Sequence, residues 1–181
     1  MTISLTGMMG CGKSTVGRAL SRALGWPFVD LDDEIARAAG STIPEIFAAE
    51  GEAGFRRREQ AALEAVLTSG ENQVLALGGG TLTTPACERM VREQTLAVYL
   101  KAGAETLLER LSGATAGRPM LAGGNGQTRI TTLLAERSAA YERTARVTVP
   151  VAGLSVQETV AEILRLTGPL LPPYTSGRFP V

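Results

Sequence analysis

The chain contains 181 residues, of which 44% are hydrophobic and 20% are charged, and these values are typical of one folded domain with a substantial core. Its 18 basic and 18 acidic residues give a formal net charge of zero, so no overall positive field would recruit nucleic acid or an anionic membrane. Because histidine is absent and only two cysteines are present, Ser–His and Cys–His catalysis, most zinc sites and a disulfide framework are excluded.

The predicted elements alternate between short strands and amphipathic helices. A first strand at residues 2–6 is followed by a helix at 13–24, and later strands are predicted at 27–30, 73–77, 95–100 and 146–150. The other helices are predicted at 32–39, 43–50, 52–68, 85–92, 103–111, 127–143 and 155–166. Because helices separate the strands, the pattern predicts a parallel sheet with helices on both faces, a three-layer α/β/α fold.

Two segments interrupt this alternation. Residues 112–126 are rich in glycine and small residues, and so long a loop inside a compact domain is often a lid. Residues 168–181 are rich in proline and are expected to form a loosely ordered tail after a domain that spans residues 1–167. Neither a signal peptide nor an apolar run of about 18 residues is visible, so we expect a cytoplasmic protein without a membrane span.

Residues 7–14 read GMMGCGKS and satisfy G-x-x-x-x-G-K-[ST], with a predicted strand before them and a helix after them. The pattern predicts a nest of backbone amides that holds the phosphates of ATP at a helix N-terminus, whereas a chance glycine-rich turn is the alternative. Lys13 is expected to bridge the β- and γ-phosphates and Ser14 to ligate Mg²⁺. At Cys11 a packing role is favoured over a redox or nucleophilic one. The expected ATP-binding residues of this loop are Gly10, Cys11, Gly12, Lys13, Ser14 and Thr15.

The second predicted strand ends in an acidic run that contains Asp30, Asp32 and Asp33. Ligands of open α/β sheets bind beyond the carboxyl ends of the strands, and strand alternation would place Asp30 and Asp32 on one side, opposite Leu31. One carboxylate is expected to hold Mg²⁺, and the other to accept a proton from the acceptor hydroxyl. Helix N-capping is the alternative for Asp32 and Asp33, and it is the preferred interpretation of Asp33.

Sixteen of the 18 basic residues are arginines, which suit anionic ligands, although a coding bias would give the same excess. Arg137 shares a helical stripe with Leu133, Leu134 and Tyr141, so it is expected to need a partner. That partner is either an anionic ligand or an internal Asp or Glu.

Three consecutive arginines on a predicted helix differ in the direction that they face. Arg56 aligns with Leu63 and Leu67 and is expected to point inward, whereas Arg57 faces solvent and Arg58 is intermediate. Two arginines that reach inward from different helices would suit a carboxylate substrate, with each bond contributing about 1.5–3 kcal/mol.

A run of three glycines, Gly78, Gly79 and Gly80, follows the apolar strand predicted at 73–77. Glycines at the carboxyl end of a strand permit a ligand to approach the backbone closely. A tight turn explains the run equally well when it is considered alone. Its position beside the phosphate loop and the acids favours a ligand site.

Together these motifs resemble the shikimate kinase family through about residue 166. The resemblance rests on the ordered set GMMGCGKST (7–15), DLD (30–32), FRR (55–57), LGGGT (77–81), GRPMLAG (117–123) and LLAERSAAYERTA (133–145). It implies the five-stranded parallel fold of nucleoside-monophosphate kinases, with a lid at about 112–126 and a separate substrate-binding helical segment at about 32–68. The implied reaction transfers the ATP γ-phosphate to the 3-hydroxyl of shikimate, a step toward chorismate and the aromatic amino acids.

The resemblance also implies roles on the acceptor side. Asp32 matches the acid that contacts the acceptor hydroxyl and acts as its base, and Asp30 matches the acid on the metal side. Arg56 and Arg137 match the pair that binds the shikimate carboxylate. The backbone segment at the shikimate ring is matched by Gly78, Gly79 and Gly80.

On the nucleotide side, the resemblance implies ATP as co-substrate with one Mg²⁺ per active site. Arg118 matches the lid arginine that reaches the phosphates on closure, and with Lys13 it is expected to offset charge on the transferring group. Arg110 matches an arginine that precedes the lid and contacts adenine. Residues 150–155 (PVAGLS) lack the basic residue that the family often places there. We expect a monomer whose partners are ATP and shikimate.

Two other functions remain open at this point. One is a kinase of the same fold that phosphorylates another metabolite, such as gluconate or a nucleotide. The other is a regulatory module that binds nucleotide without turnover, but such a module would not need an acid at the position of Asp32. An ADP-release assay with several acceptors separates these alternatives.

Overall fold

The computed structural model describes residues 1–112 and 126–171. Five parallel strands form one sheet in the order β2-β3-β1-β4-β5. In chain order, β1 to β5 are Thr2–Thr6, Phe28–Asp30, Gln73–Ala76, Thr95–Lys101 and Val147–Pro150. Helices α1 to α7 are Lys13–Leu24, Leu31–Ala39, Ile43–Thr68, Pro85–Gln94, Ala104–Ser112, Gly126–Thr144 and Val156–Thr167. The predicted five-stranded parallel α/β fold is therefore confirmed.

Alternation of side chains along the strands builds two cores, one on each face of the sheet. In β4, Leu96, Val98 and Leu100 pack into one core, whereas Ala97 and Tyr99 pack into the other. The first core contains residues of α1, α5 and α7, and the second contains residues of α2, α3 and α4. A sheet buried on both faces explains why its strands are almost uniformly apolar.

Most element boundaries agree with the sequence prediction to within one residue, and the differences are local. The predicted helices at 43–50 and 52–68 form one helix, α3, that is kinked at Gly51, where φ is 65° and ψ is −175°. Short 3₁₀ turns at Thr81–Thr83 and Gly168–Leu170 were not predicted.

Most residues of the predicted lid and tail lie outside the described part of the chain. Residues 113–125, including Arg118, and residues 172–181 lie outside the described residues. Among the residues that are described, no helix is long and apolar enough to cross a membrane.

Candidate active site

The loop between β1 and α1 carries the phosphate-binding pattern. Gly7, Gly10 and Gly12 have positive φ angles of 138°, 83° and 102°, which turn the loop back on itself before the helix begins. Gly12 is the N-cap of α1 and contributes no side-chain cap, and the first turn of the helix has no acidic residue. The N-terminal amides of α1 therefore offer an anion site that no side chain of the helix already occupies.

Lys13 lies across this loop. Its Nζ donates to the carbonyl oxygen of Gly7 at 2.9 Å and to that of Met8 at 3.2 Å. A Cβ built at Gly7 would lie 2.7 Å from the Leu100 carbonyl oxygen, so the loop begins in close contact with the end of β4. The Cys11 side chain is fully buried, which favours the packing role over a reactive one.

Ser14 and Asp30 face each other where β1 and β2 end. Ser14 Oγ donates to Asp30 Oδ2 at 2.6 Å, and Asp30 Oδ1 accepts from the Asp32 amide at 3.2 Å. The N-cap of α2 is therefore Asp30, and the helix begins at Leu31. The interpretation of Asp33 as a cap was wrong, because Asp33 lies inside the first turn. Asp30 and Asp32 are brought together by the start of a helix and not by strand alternation, while Leu31 is buried.

The pKa of Asp32 is raised to about 6. The first cause is loss of hydration next to the surrounding protein atoms, even though the residue keeps an exposed side toward the cleft. The negative charges of Asp30, Glu59 and Asp33 raise the pKa further, and Lys13 lowers it. Asp32 is consequently a carboxylate at neutral pH, but one with an unusually high affinity for a proton.

The three glycines after β3 lie against the predicted acceptor-site side chains in turn. A Cβ built at Gly78 would lie 3.0 Å from Asp32 Oδ1, and one at Gly80 would lie 2.6 Å from an Arg56 nitrogen. At Gly79 the corresponding distance to Arg137 is 3.7 Å. Any side chain at Gly78 or Gly80 would displace these groups, so the glycines allow Asp32, Arg56 and Arg137 to gather around one stretch of backbone, the candidate acceptor pocket.

Arg56 is held by two carboxylates of its own helix. It pairs with Glu59 at 2.7 Å and with Glu52 at 3.3 Å, and its side chain is 20% exposed. Glu59 itself is 1% exposed and accepts a further hydrogen bond from Thr81 Oγ1 at 2.7 Å. Sequence reasoning missed Glu59, although its position three residues after Arg56 and four before the buried Leu63 was the available signal.

Arg137 reaches the same pocket from α6. Its guanidinium donates to the Gly79 carbonyl oxygen at 3.2 Å. Within the described part of the chain its polar partner is this carbonyl and not an internal Asp or Glu, the alternative that the sequence had left open. Arg57 is exposed, as its position on the helix predicts, and Arg58 pairs with Glu50 at 2.6 Å.

Arg110, at the end of α5, joins the phosphate loop to the segment after β5. It donates to the Cys11 carbonyl oxygen at 3.1 Å and to the Val151 carbonyl oxygen at 2.8 Å. The cleft beside it is lined by the phosphate loop, by Thr15 and by the start of α7. Leu154 contributes an apolar wall there, at the place where the sequence offers no basic residue.

We expect NMR spectroscopy to detect the raised pKa of Asp32. In a pH titration of the ¹³Cγ resonances of aspartate, Asp32 should titrate with a midpoint near pH 6. Glu59→Gln should lower that midpoint, because it removes a negative charge, and Asp33→Asn should lower it less. A midpoint near pH 4 in the wild-type protein would contradict the assigned environment.

Comparison with known proteins identifies the family of this chain. The family model for shikimate kinase matches residues 9–167. A shikimate kinase of Symbiobacterium thermophilum is 42% identical over 165 residues, which cover 91% of this chain and 94% of that one. The structure of shikimate kinase from Acinetobacter baumannii in complex with shikimate superposes with a TM-score of 0.86 at 36% identity, covering 93% of each chain. A gluconokinase of Sinorhizobium meliloti, which is 23% identical with a TM-score of 0.58, shares the fold alone. On this combined support, the chain belongs to the shikimate kinase family.

Proposed function

We propose that this chain, an ATP-dependent kinase by its family, transfers the γ-phosphate of ATP to the 3-hydroxyl of shikimate and forms shikimate 3-phosphate. One observation carries the proposal. Arg56 from α3 and Arg137 from α6 meet at the backbone of Gly79 and Gly80, beside the carboxylate of Asp32. The pocket thus offers cations for an organic acid next to a base for its hydroxyl, and it opens next to a phosphate-binding loop.

The two arginines would bind the acceptor carboxylate in different ways. Arg56 already pairs with Glu59 and Glu52, so these contacts fix its orientation and offset its charge. Arg137 donates to the Gly79 carbonyl and pairs with no carboxylate among the described residues, so it contributes most of the uncompensated positive charge. We therefore propose that Arg137 contributes most of the binding energy for the acceptor carboxylate. Arg56 would mainly orient that carboxylate.

On the donor side, the N-terminus of α1 and Lys13 would hold the ATP phosphates. The Lys13 ammonium is kept at the loop by two carbonyl oxygens, which pre-organises it for a phosphate oxygen. Arg110 and the cleft that continues to Leu154 are the corresponding place for the adenine. Arg118, in the proposed lid at 112–126, would add positive charge at the phosphates and help exclude water as a competing acceptor.

Asp32 would orient the 3-hydroxyl and accept its proton as the phosphoryl group leaves ATP. With a pKa of about 6, it is ionised at neutral pH and binds a proton more readily than an ordinary aspartate. Positioning both substrates in line could supply roughly 7–11 kcal/mol of the rate enhancement. The chain's part in catalysis is therefore alignment and charge neutralisation.

The residues at the phosphate loop fit one Mg²⁺. Mg²⁺ prefers oxygen ligands and keeps several waters, so it uses one or two protein groups together with substrate phosphates. Ser14 and Asp30 form such an oxygen pair, 2.6 Å apart at the mouth of the loop. Among the described residues no cluster of three Asp, Glu, His or Cys side chains could hold a metal ion. When bound, the ion would offset the negative charge of the ATP phosphates.

The domain assignment follows from these roles. Residues 32–68 contain Asp32, Arg56 and Glu59, which supports a substrate-binding segment within a kinase domain at 1–167. We also propose that the enzyme acts as a cytoplasmic monomer, since the described side chains of a single chain converge on one pocket. Size-exclusion chromatography with light scattering tests the monomeric state.

An ADP-release assay tests the proposed reaction. Purified protein with MgATP is offered shikimate, quinate, gluconate and nucleoside monophosphates in parallel. We expect turnover with shikimate to exceed turnover with the other acceptors. Preferred phosphorylation of gluconate or a nucleotide would assign the pocket to another metabolite, and ADP release with none of them would support a non-catalytic nucleotide-binding module.

Asp32→Asn should lower kcat by about 10²–10⁴-fold, because the amide cannot accept the hydroxyl proton. ATP affinity should be retained, since Asp32 lies on the acceptor side. Asp33→Asn is the matched control, and it should leave kcat within a small factor of the wild-type value. Near-normal turnover of Asp32→Asn would remove Asp32 from the chemistry.

Arg137→Ala should raise the KM for shikimate by the equivalent of up to about 3 kcal/mol and leave the KM for ATP nearly unchanged. Arg57→Ala, which removes an exposed arginine of α3, is the control and should change neither constant. If Arg137→Ala instead lowers the melting temperature sharply while the KM for shikimate is unaltered, Arg137 has a structural role only.

A further inference from the structure

We infer that Tyr141 is a positioning residue of the acceptor site, which holds the Gly79 carbonyl and through it aims the guanidinium of Arg137. This inference rests on the proposed function, because the group to be aimed is the one assigned to the acceptor carboxylate. We assign Tyr141 no contact with the substrate itself, because its hydroxyl is engaged by the Gly79 carbonyl.

Two donors from one face of α6 meet on a single oxygen. Tyr141 Oη donates a short hydrogen bond to the Gly79 carbonyl oxygen, and Arg137 donates to the same oxygen at 3.2 Å. Residues four apart on a helix lie above one another, so α6 presents both groups to the glycine run together. The carbonyl oxygen has two lone pairs, and these two bonds occupy both.

The glycine run needs such an anchor. Gly78, Gly79 and Gly80 carry no side chain to fix the backbone, and glycine gives a peptide unit unusually free rotation. Because the peptide is planar and trans, holding the Gly79 carbonyl toward α6 also directs the Gly80 N–H to the opposite side. Together with the turn bond from the Thr81 amide to the Gly78 carbonyl at 3.2 Å, this hydroxyl therefore helps to fix the orientation of two backbone groups in the glycine run.

The surroundings of Tyr141 keep its hydroxyl protonated and fixed in place as a hydrogen-bond donor. It is 1% exposed, and its ring packs against Tyr99 with centroids 5.2 Å apart, so its position is rigid. Burial raises the pKa of its hydroxyl above the ordinary value, so it stays protonated through the working pH range.

The same hydroxyl lies close to the phosphate loop. Tyr141 Oη is 4.0 Å from Met8 Sδ, and a Cβ built at Gly79 would lie 3.5 Å from the Met9 amide nitrogen. The Gly79 peptide thus lies between the loop that binds ATP and the arginine that binds the acceptor. Its anchoring sets the spacing between the two substrates as well as the direction of Arg137.

Steady-state kinetics of Tyr141→Phe test the inference. We expect the KM for shikimate to rise about 5–20-fold, the loss typical of one or two hydrogen bonds, with the KM for ATP unchanged. Tyr99→Phe is the matched control, because it removes a hydroxyl from the same ring pair without touching Gly79, and it should leave both constants unchanged. A KM for shikimate in Tyr141→Phe equal to that of the wild type would overturn the inference.

A double-mutant cycle separates positioning from simple stabilisation. If Tyr141 acts through Arg137, Tyr141→Phe should change the KM for shikimate less than about 2-fold in an Arg137→Ala background. Effects that multiply independently would overturn the inference. Failure of the wild-type enzyme to phosphorylate shikimate would contradict the proposed function instead, so the two failures are distinguishable.

If Tyr141→Phe does not fold, the wild-type protein still provides a test. With tyrosine labelled at ¹³Cζ, the Tyr141 resonance should shift when shikimate binds, because Arg137 and Tyr141 share one oxygen. Because the chain has three tyrosines, the Tyr99 and Tyr174 resonances are assigned from the Tyr99→Phe and Tyr174→Phe spectra, which identifies the Tyr141 resonance by elimination and provides internal references. A Tyr141 resonance that does not move at saturating shikimate would overturn the inference.

Discussion

The active site depends on three neighbouring parallel strands that end at one edge of the sheet. In the order β2-β3-β1, their carboxyl ends deliver the acid Asp30, the glycine run and the phosphate loop side by side. No single one of these segments contains all the residues of the candidate active site. Parallel pairing alone brings together groups that lie up to about 70 residues apart in sequence, and the helices that cover the sheet then supply the arginines. A change that shifts the strand register would separate donor and acceptor sites before it altered any catalytic side chain.

At this edge of the sheet, a buried acidic side chain lies beside a basic one. Glu59 is buried, yet it is satisfied by Arg56 and by Thr81, and its charge also contributes to the high pKa of Asp32. One buried carboxylate thereby has two effects: it fixes the guanidinium of Arg56 and it raises the pKa of Asp32. Arg137 has no such internal carboxylate among the described residues, which leaves it available to a ligand. In the proposed acceptor site, this asymmetry between the two arginines would favour an organic anion.

The sequence predicted the helices and strands well, because these depend on local spacing. Helical periodicity alone separated Arg56 from Arg57, and it placed Arg137 on the same stripe as Tyr141. Contacts through space were the part that could not be predicted. The bond from Thr81 to Glu59 joins residues 22 positions apart, and that from Tyr141 to Gly79 spans 62. The choice of Asp30 and not Asp33 as N-cap depended on a helix beginning one residue earlier than predicted, a difference that periodicity does not resolve.

The central claim is that two guanidinium groups recognise the carboxylate of the acceptor. Isothermal titration calorimetry of the wild-type enzyme in the presence of ADP and Mg²⁺, with shikimate and with its uncharged methyl ester, tests it most directly. We expect the ester to bind about 100-fold more weakly, because it loses the charge and the paired hydrogen bonds while the ring and its hydroxyls are unchanged. Affinities that agree to within about 3-fold, less than one neutral hydrogen bond is worth, would contradict it.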